Sequence, residues 1–115
     1  MNYRKVGCFL AILFCLLANM SAMAGGRLIT CTEQWNQSFV CLPDAVALVK
    51  NHIGRPIRII GYSKAEQGAG WRNAAKFRRQ LIDALIGEGI RVNKDLFRAV
   101  EGGAVGQAKV EVYAD

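Results

Sequence analysis

The sequence predicts an α+β domain, a β-α-β-α-β-β sandwich with its helices packed on one face of a mixed sheet. Three observations carry this reading. Ile57-Arg58-Ile59-Ile60-Gly61 is a short β-branched run suited to a central strand. Residues 71–86 place apolar side chains on one side of a helix at about 100° per residue. Ala108, Val110 and Val112 alternate with Lys109, Glu111 and Tyr113, the pattern of a strand with one buried face. Strands that alternate with helices argue for a sheet covered by helices.

The chain of 115 residues opens with a positive pair, Arg4 and Lys5, and an unbroken apolar run from Val6 to Ala18. A small-residue stretch then ends in Ala22-Met23-Ala24. This is the pattern of a cleavable signal peptide, residues 1–24, and the apolar run is too short to span a membrane, which takes about 20 residues. Cleavage after Ala24 leaves a single domain, residues 25–115, with 13 basic against 9 acidic residues, a net charge of +4. The expected location is the periplasm, with no stable transmembrane anchor after cleavage.

Within that domain, Leu28–Cys31 and Phe39–Cys41 are apolar runs that flank a polar loop. They read either as two strands of a hairpin or as one irregular segment and one strand. Trp35 in the loop packs back on the domain or stands exposed; both readings are open. Pro43 and Asp44 suit the first turn of a helix whose stripe is Ala45, Leu48, Val49, His52 and Ile53, stopped by Gly54 and Pro56. After the central strand comes a polar loop, Tyr62–Gly70. The long helix that follows has Trp71, Ala74, Ala75, Phe77, Leu81, Ile82 and Leu85 on its apolar side. A third strand is expected over Leu96–Val100, and the glycine-rich segment Glu101–Gly106 is expected to turn the chain into the last strand.

Cys8 and Cys15 leave with the signal, so Cys31 and Cys41 remain as an even pair in an oxidising compartment. That reads as a disulfide, contributing on the order of 2–3 kcal/mol in the chain-entropy model. Their spacing is not that of a metal or redox pair, and no metal or other cofactor is expected. His52, the only histidine, has no recognisable nucleophile beside it, and the carboxylates are scattered. The glycine runs lack phosphate-loop spacing. These features argue against an enzyme. Nucleic acid is not an expected partner, because the net charge is modest and aromatic residues do not interleave with basic ones on a single strand.

Arg78 stands out because the helical wheel puts it near the middle of the apolar side, between Phe77 and Leu81. A guanidinium there keeps its charge and calls for a partner. Its expected role is an internal pair with Glu66 or Glu101, a side chain reaching out at the helix edge, or a carboxylate receptor.

The run Ile57-Arg58-Ile59-Ile60-Gly61-Tyr62-Ser63 with the helix after it resembles the OmpA-like domain, the cell-wall-binding module of Gram-negative envelope proteins. That family shows an apolar strand, Gly-(His/Tyr)-(Thr/Ser)-Asp, a glycine-containing loop, a helix with an Arg in its first half, then Gly-Ile. Here the corresponding residues are Gly61-Tyr62-Ser63-Lys64, Gly68 and Gly70, Arg78 or Arg79, and Gly89-Ile90. The closing strand is similar at Ala108-Lys109-Val110-Glu111-Val112. The resemblance runs from about Phe39 to Tyr113 and rests on the order of elements rather than on one motif.

What the resemblance implies is a ligand site made of Ser63, Lys64, Asn73, Arg78 and Arg79. In the family the loop Asp and helix Arg hold the amine and carboxylate of diaminopimelate in peptidoglycan. Lys64 reverses the first of these charges. The expected function is therefore a non-catalytic, wall- or envelope-associated binding module with weak affinity for peptidoglycan. The alternative is a protein-interaction component of a pilus, secretion or conjugation assembly. In either case Lys64 and Arg78 are expected to converge at the mouth between central strand and long helix.

Overall fold

The computed structural model describes residues 26–33 and 39–115. The expected signal peptide and Trp35 lie outside the described residues. Strand β1 (Gly26–Thr32) leads to helix α1 (Leu42–Lys50). Then come β2 (Ile57–Ser63), α2 (Ala69–Gly87), a 3-10 turn (Lys94–Leu96), β3 (Phe97–Ala104) and β4 (Lys109–Ala114). The four strands form one mixed sheet in the order β1-β4-β2-β3. Strand β2 runs parallel to β3, and β4 is antiparallel to both β1 and β2. The α+β class and the order β-α-β-α-β-β are thus those expected from the sequence.

Alternation along β2 decides the layering. Ile57, Ile59, Gly61 and Ser63 are buried, while Arg58, Ile60 and Tyr62 between them are half-buried. Their register partners Ala114, Val112 and Val110 on β4 are buried with them. Both helices cover this one face. Helix α2 contributes Ala74, Phe77, Leu81, Ile82 and Leu85, and α1 contributes Ala45, Val46 and Val49. Phe39 meets Phe77 edge-on, ring centres 5.0 Å apart, beside the buried Cys31. No described helix is long and apolar enough to cross a membrane.

Cys31 and Cys41 form the disulfide expected of them, with Cα atoms 5.7 Å apart. Among the described residues, no second strand lies between β1 and α1, so the two-strand alternative for this region is not met there. Strand β1 ends at Thr32, a lone antiparallel bridge joins Glu33 to Phe39, and Cys41 already caps α1. Pro43 in the first turn, Asp44 beside it and Lys50 in the last turn explain why this short segment is helical.

Helix α1 ends at Lys50, short of His52 and Ile53 in its expected stripe, and Ile53 is exposed. Two more expectations need correction. Glu101–Ala104 does not turn the chain but continues β3. Gly102 is there because a Cβ would come within 2.5 Å of the Tyr62 ring and 2.7 Å of Ile60 Cγ2. The glycine run thus marks a close neighbour on the adjacent strand, and the turn falls at 105–108. Trp71 is the second correction: it is 55% exposed, although the wheel set it on the apolar side.

Helix α2 touches β2 at two glycines. A Cβ on Gly61 would overlap the Gly70 carbonyl oxygen, and one on Gly70 would overlap the Gly61 carbonyl and a Glu101 carboxylate oxygen. The helix therefore begins directly against the strand, backbone on backbone, and the residues just beyond this contact form the candidate site.

Candidate functional site

The C-terminal end of β2, the loop after it and the first turns of α2 enclose a depression of about 530 Å³. Ser63, Lys64, Glu66, Arg72, Asn73 and Lys76 line it. Its walls are held by a short chain of hydrogen bonds. The buried Ser63 hydroxyl donates to the Glu66 carbonyl at 2.7 Å. Asn73 Nδ2 donates to the Tyr62 carbonyl at 3.0 Å. On the other side, Val105 N donates to the Ser63 carbonyl at 2.9 Å and Gly106 N to the Lys64 carbonyl at 3.1 Å. The strand–helix loop and the turn between β3 and β4 are thereby tied into one rim.

Helix α2 starts at Gly68, whose φ of +84° suits glycine and which has no side chain to cap the helix. The cap comes from the neighbouring strand instead: Gly68 N donates to Glu101 Oε1 at 3.0 Å. A carboxylate at this end also complements the helix dipole. Glu101, expected from the sequence as a partner for Arg78 or the start of a turn, has this different task.

Three cations, Lys64, Arg72 and Lys76, and two carboxylates, Glu33 and Glu66, line the mouth, an excess of one positive charge. Lys64 is exposed. Arg72 lies 3.3 Å from Glu66, both side chains well exposed, and such a pair is worth little in water. Lys76 lies 3.6 Å from the largely covered Glu33 and sits over the Phe39 ring at 5.4 Å. The site can therefore hold an anionic group between flexible cations and two fixed polar walls.

Ser63, Lys64 and Asn73 are brought together here, but Arg78 and Arg79 are not. Arg78 Nε donates to the Phe97 carbonyl at 2.7 Å and its Nη2 to the Lys94 carbonyl at 2.9 Å. Phe97 is the register partner of Ile57, six residues before Ser63 on β2. At roughly 3.3 Å per residue, the Arg78 head is about 20 Å along the sheet from the mouth. The expected convergence of Lys64 and Arg78 is thus corrected. Among the alternatives for Arg78, it is a half-buried guanidinium whose hydrogen bonds go to backbone carbonyls rather than to Glu66 or Glu101. Arg79 is exposed. Both line a second depression of about 410 Å³ on the outer flank of α2, with Trp71 and Lys94.

A further cluster lies on the helix-free face of the sheet. The buried Glu111 carboxylate accepts from Tyr62 Oη at 2.8 Å, Tyr113 Oη at 3.2 Å and Arg27 Nη1 at 3.3 Å. Burial alone would raise its pKa. The hydrogen bonds from Tyr62 and Tyr113, with the charges of Lys109 and Arg27, outweigh burial and hold it below the usual carboxylate range. Burial and the Glu111 hydrogen bond push Tyr62 up to about 12, and burial with the Glu111 charge raises Tyr113 as well. Arg58 lies over the Tyr113 ring at 4.7 Å and Lys109 over the Tyr62 ring at 5.2 Å. The sequence offered one clue to this cluster, Glu111 and Tyr113 two apart on an alternating strand.

His52 Nδ1 donates to the Leu48 carbonyl at 3.0 Å. Among the described residues no three His, Cys, Asp or Glu side chains are grouped as a metal would need. Comparisons with protein families, with curated proteins and with solved structures return no match to this chain.

Proposed function

We propose that this chain is a non-catalytic, exported binding module of the OmpA-like type, whose strand–helix mouth takes an anionic group of the cell wall or envelope. The observation that carries the reading is the mouth itself. Lys64, Arg72 and Lys76, the last two paired with Glu66 and Glu33, line a depression whose Ser63 and Asn73 walls are fixed by hydrogen bonds to backbone, which leaves Lys64 as the cation of the three with no ion pair among the described residues. It lies at the strand end where the resemblance sets the family's ligand. Lys64 replaces the carboxylate that would meet the ammonium of diaminopimelate, so an anion is preferred over that zwitterionic end. The export half of the reading rests on Arg4, Lys5, the apolar run and Ala22-Met23-Ala24. The non-catalytic half rests on His52 being engaged by the Leu48 carbonyl in the last turn of α1 and on Cys31 and Cys41 being spent in a disulfide.

Sedimentation with purified peptidoglycan tests the reading. The natural protein is expected to bind weakly or not at all. Lys64→Asp is expected to strengthen binding, because removing a like charge from a partly desolvated site is worth on the order of 1 kcal/mol or more. Arg72→Ala should abolish that gain, whereas Arg78→Ala, some way along the sheet, should leave it. Tight binding by the natural protein, unchanged by Lys64→Asp, would overturn the reading. A second reading, a protein-interaction component of a pilus, secretion or conjugation assembly, is favoured by one observation: the exposed indole of Trp71.

A further inference from the structure

We propose that the outer flank of α2 is a docking surface for an acidic segment of a partner protein, anchored on Trp71. The proposal goes beyond the strand–helix mouth; the two depressions share Arg72 and Lys76, and the proposal rests on neither. Trp71, Ala75, Arg78 and Ile82 recur at i, i+4, i+7 and i+11, so they share one flank of the helix. The 3-10 turn before β3 covers the lower part of that flank, where Arg78 reaches the Lys94 and Phe97 carbonyls. The upper part is left open, and Trp71 stands 55% exposed there. The result is a depression of about 410 Å³ with an apolar floor and cations at its rim.

Arg72 and Lys76 on this rim pair with Glu66 and Glu33, but the other three cations do not share them. Among the described residues, no carboxylate lies within ion-pair distance of Arg78, Arg79 or Lys94. Arg78 is also fixed: two backbone carbonyls hold it, and a guanidinium has five N–H donors, so some remain to be offered to an incoming carboxylate. A fixed guanidinium loses little freedom on binding. Indole beside arginine is the composition that carries most of the energy in protein interfaces.

Charge decides the occupant. The nine acidic residues of the chain are scattered, no two of them adjacent, and residues 1–25 hold none. Neither a second copy nor the chain's own N-terminal segment supplies an acidic stretch. A uniformly charged polyanion fits less well, since Asp83 stands on the same rim and an apolar floor gives phosphate nothing to cover. A peptide with a few carboxylates around an apolar anchor satisfies floor and rim together.

The test uses a synthetic glutamate-rich peptide carrying one leucine, and its glutamine counterpart, on the full exported protein with Trp35→Phe so that Trp71 alone reports. Saturable change in Trp71 fluorescence with the glutamate peptide, and none with the glutamine peptide, is expected. Arg79→Ala and Lys94→Ala should each weaken binding about two- to fivefold. Trp71→Ala, followed by calorimetry, should weaken it about tenfold or more. Lys64→Asp should leave it unchanged, which separates this surface from the mouth. Arg79, Lys94, Trp71 and Lys64 are all exposed, so folding is not at stake. No saturable binding of the glutamate peptide at low salt would overturn the proposal. So would tighter binding of polyphosphate or a single-stranded oligonucleotide, or an equal loss from Lys64→Asp and Trp71→Ala.

Discussion

Gly61→Ala tests the closest contact in the fold. The added methyl would overlap the Gly70 carbonyl oxygen and come within 2.8 Å of the Ala74 amide nitrogen. Both neighbours are backbone, one in the first turn of α2 and one a turn further, so neither yields by changing a rotamer. Strand and helix must separate, and Phe77 and Leu81, fully buried further along α2, lose packing as they do. Overpacking a core costs typically 1–3 kcal/mol, and a backbone obstacle argues for the upper end, about 3 kcal/mol. That is a large share of the stability of a domain this size. Gly87→Ala is the control. A Cβ there meets nothing within 4 Å, the position is helical, and its φ is not in the left-handed region. Less freedom in the unfolded chain should make it neutral to stabilising, by about 0.4–1 kcal/mol. Urea unfolding of both variants, compared by midpoint at equal slope, gives the two numbers. A Gly61→Ala protein as stable as the natural one would refute the backbone-on-backbone packing of α2 against β2, and with it the geometry of the mouth.

Other expectations follow from single contacts. Glu101→Ala removes the acceptor at the start of α2 and should cost about 0.5–1 kcal/mol by urea unfolding, with Gly68 exchanging its amide proton faster. Denatured, unreduced protein should show no free thiol at Cys31 or Cys41, and reduction should lower stability by about 2–3 kcal/mol. Glu111 is held below the usual carboxylate range in the fold, so its contribution is present at neutral pH and is lost as pH falls through that lowered value. Tyr62 and Tyr113 are raised, so the fold keeps protons the unfolded chain gives up. Stability should fall as pH rises from 10.0 towards about 12, and phenolate absorbance of the native protein should appear late in that range. Glu111→Gln should remove the acid-side dependence, and an unchanged acid profile would count against the cluster.

Much of the fold could be read from period alone. The 3.6-residue pattern in α2 and the twofold pattern in β4 identify the buried faces, because each period reports a single packed surface. Trp71 was misassigned for the same reason. A wheel says which side of a helix is apolar but not how far along that side a neighbour extends, and the cover over this flank is provided around Lys94–Phe97. Gly102 was misread because glycine marks both turns and close approaches, and only the register of β2 with β3 reveals that Tyr62 lies against it. At the candidate site, Ser63 and Lys64 follow from motif order. Arg72 sits on the polar side of the wheel, where nothing singles it out until the loop has folded against it.

Glu111 shows where sequence reading ends for a different reason. On an alternating strand it occupies the outward position, and outward charges are ordinarily solvated. It is buried because two tyrosines on the same helix-free face, one on its own strand and one on β2, close over it, and a carboxylate tolerates that only when donors replace its water. Tyr62 is what ties this cluster to the mouth. Its hydroxyl donates to Glu111 on one face of the sheet, while its carbonyl accepts from Asn73 on the first turns of α2. The next residue is Ser63, whose hydroxyl and carbonyl are both engaged in the rim. Four interactions from two faces therefore fix the last two residues of β2, and Lys64 is the first side chain released beyond them. A binding residue on a loop needs a rigid root if its charge is to be presented in one direction, and in this domain the helix-free face of the sheet supplies part of that root.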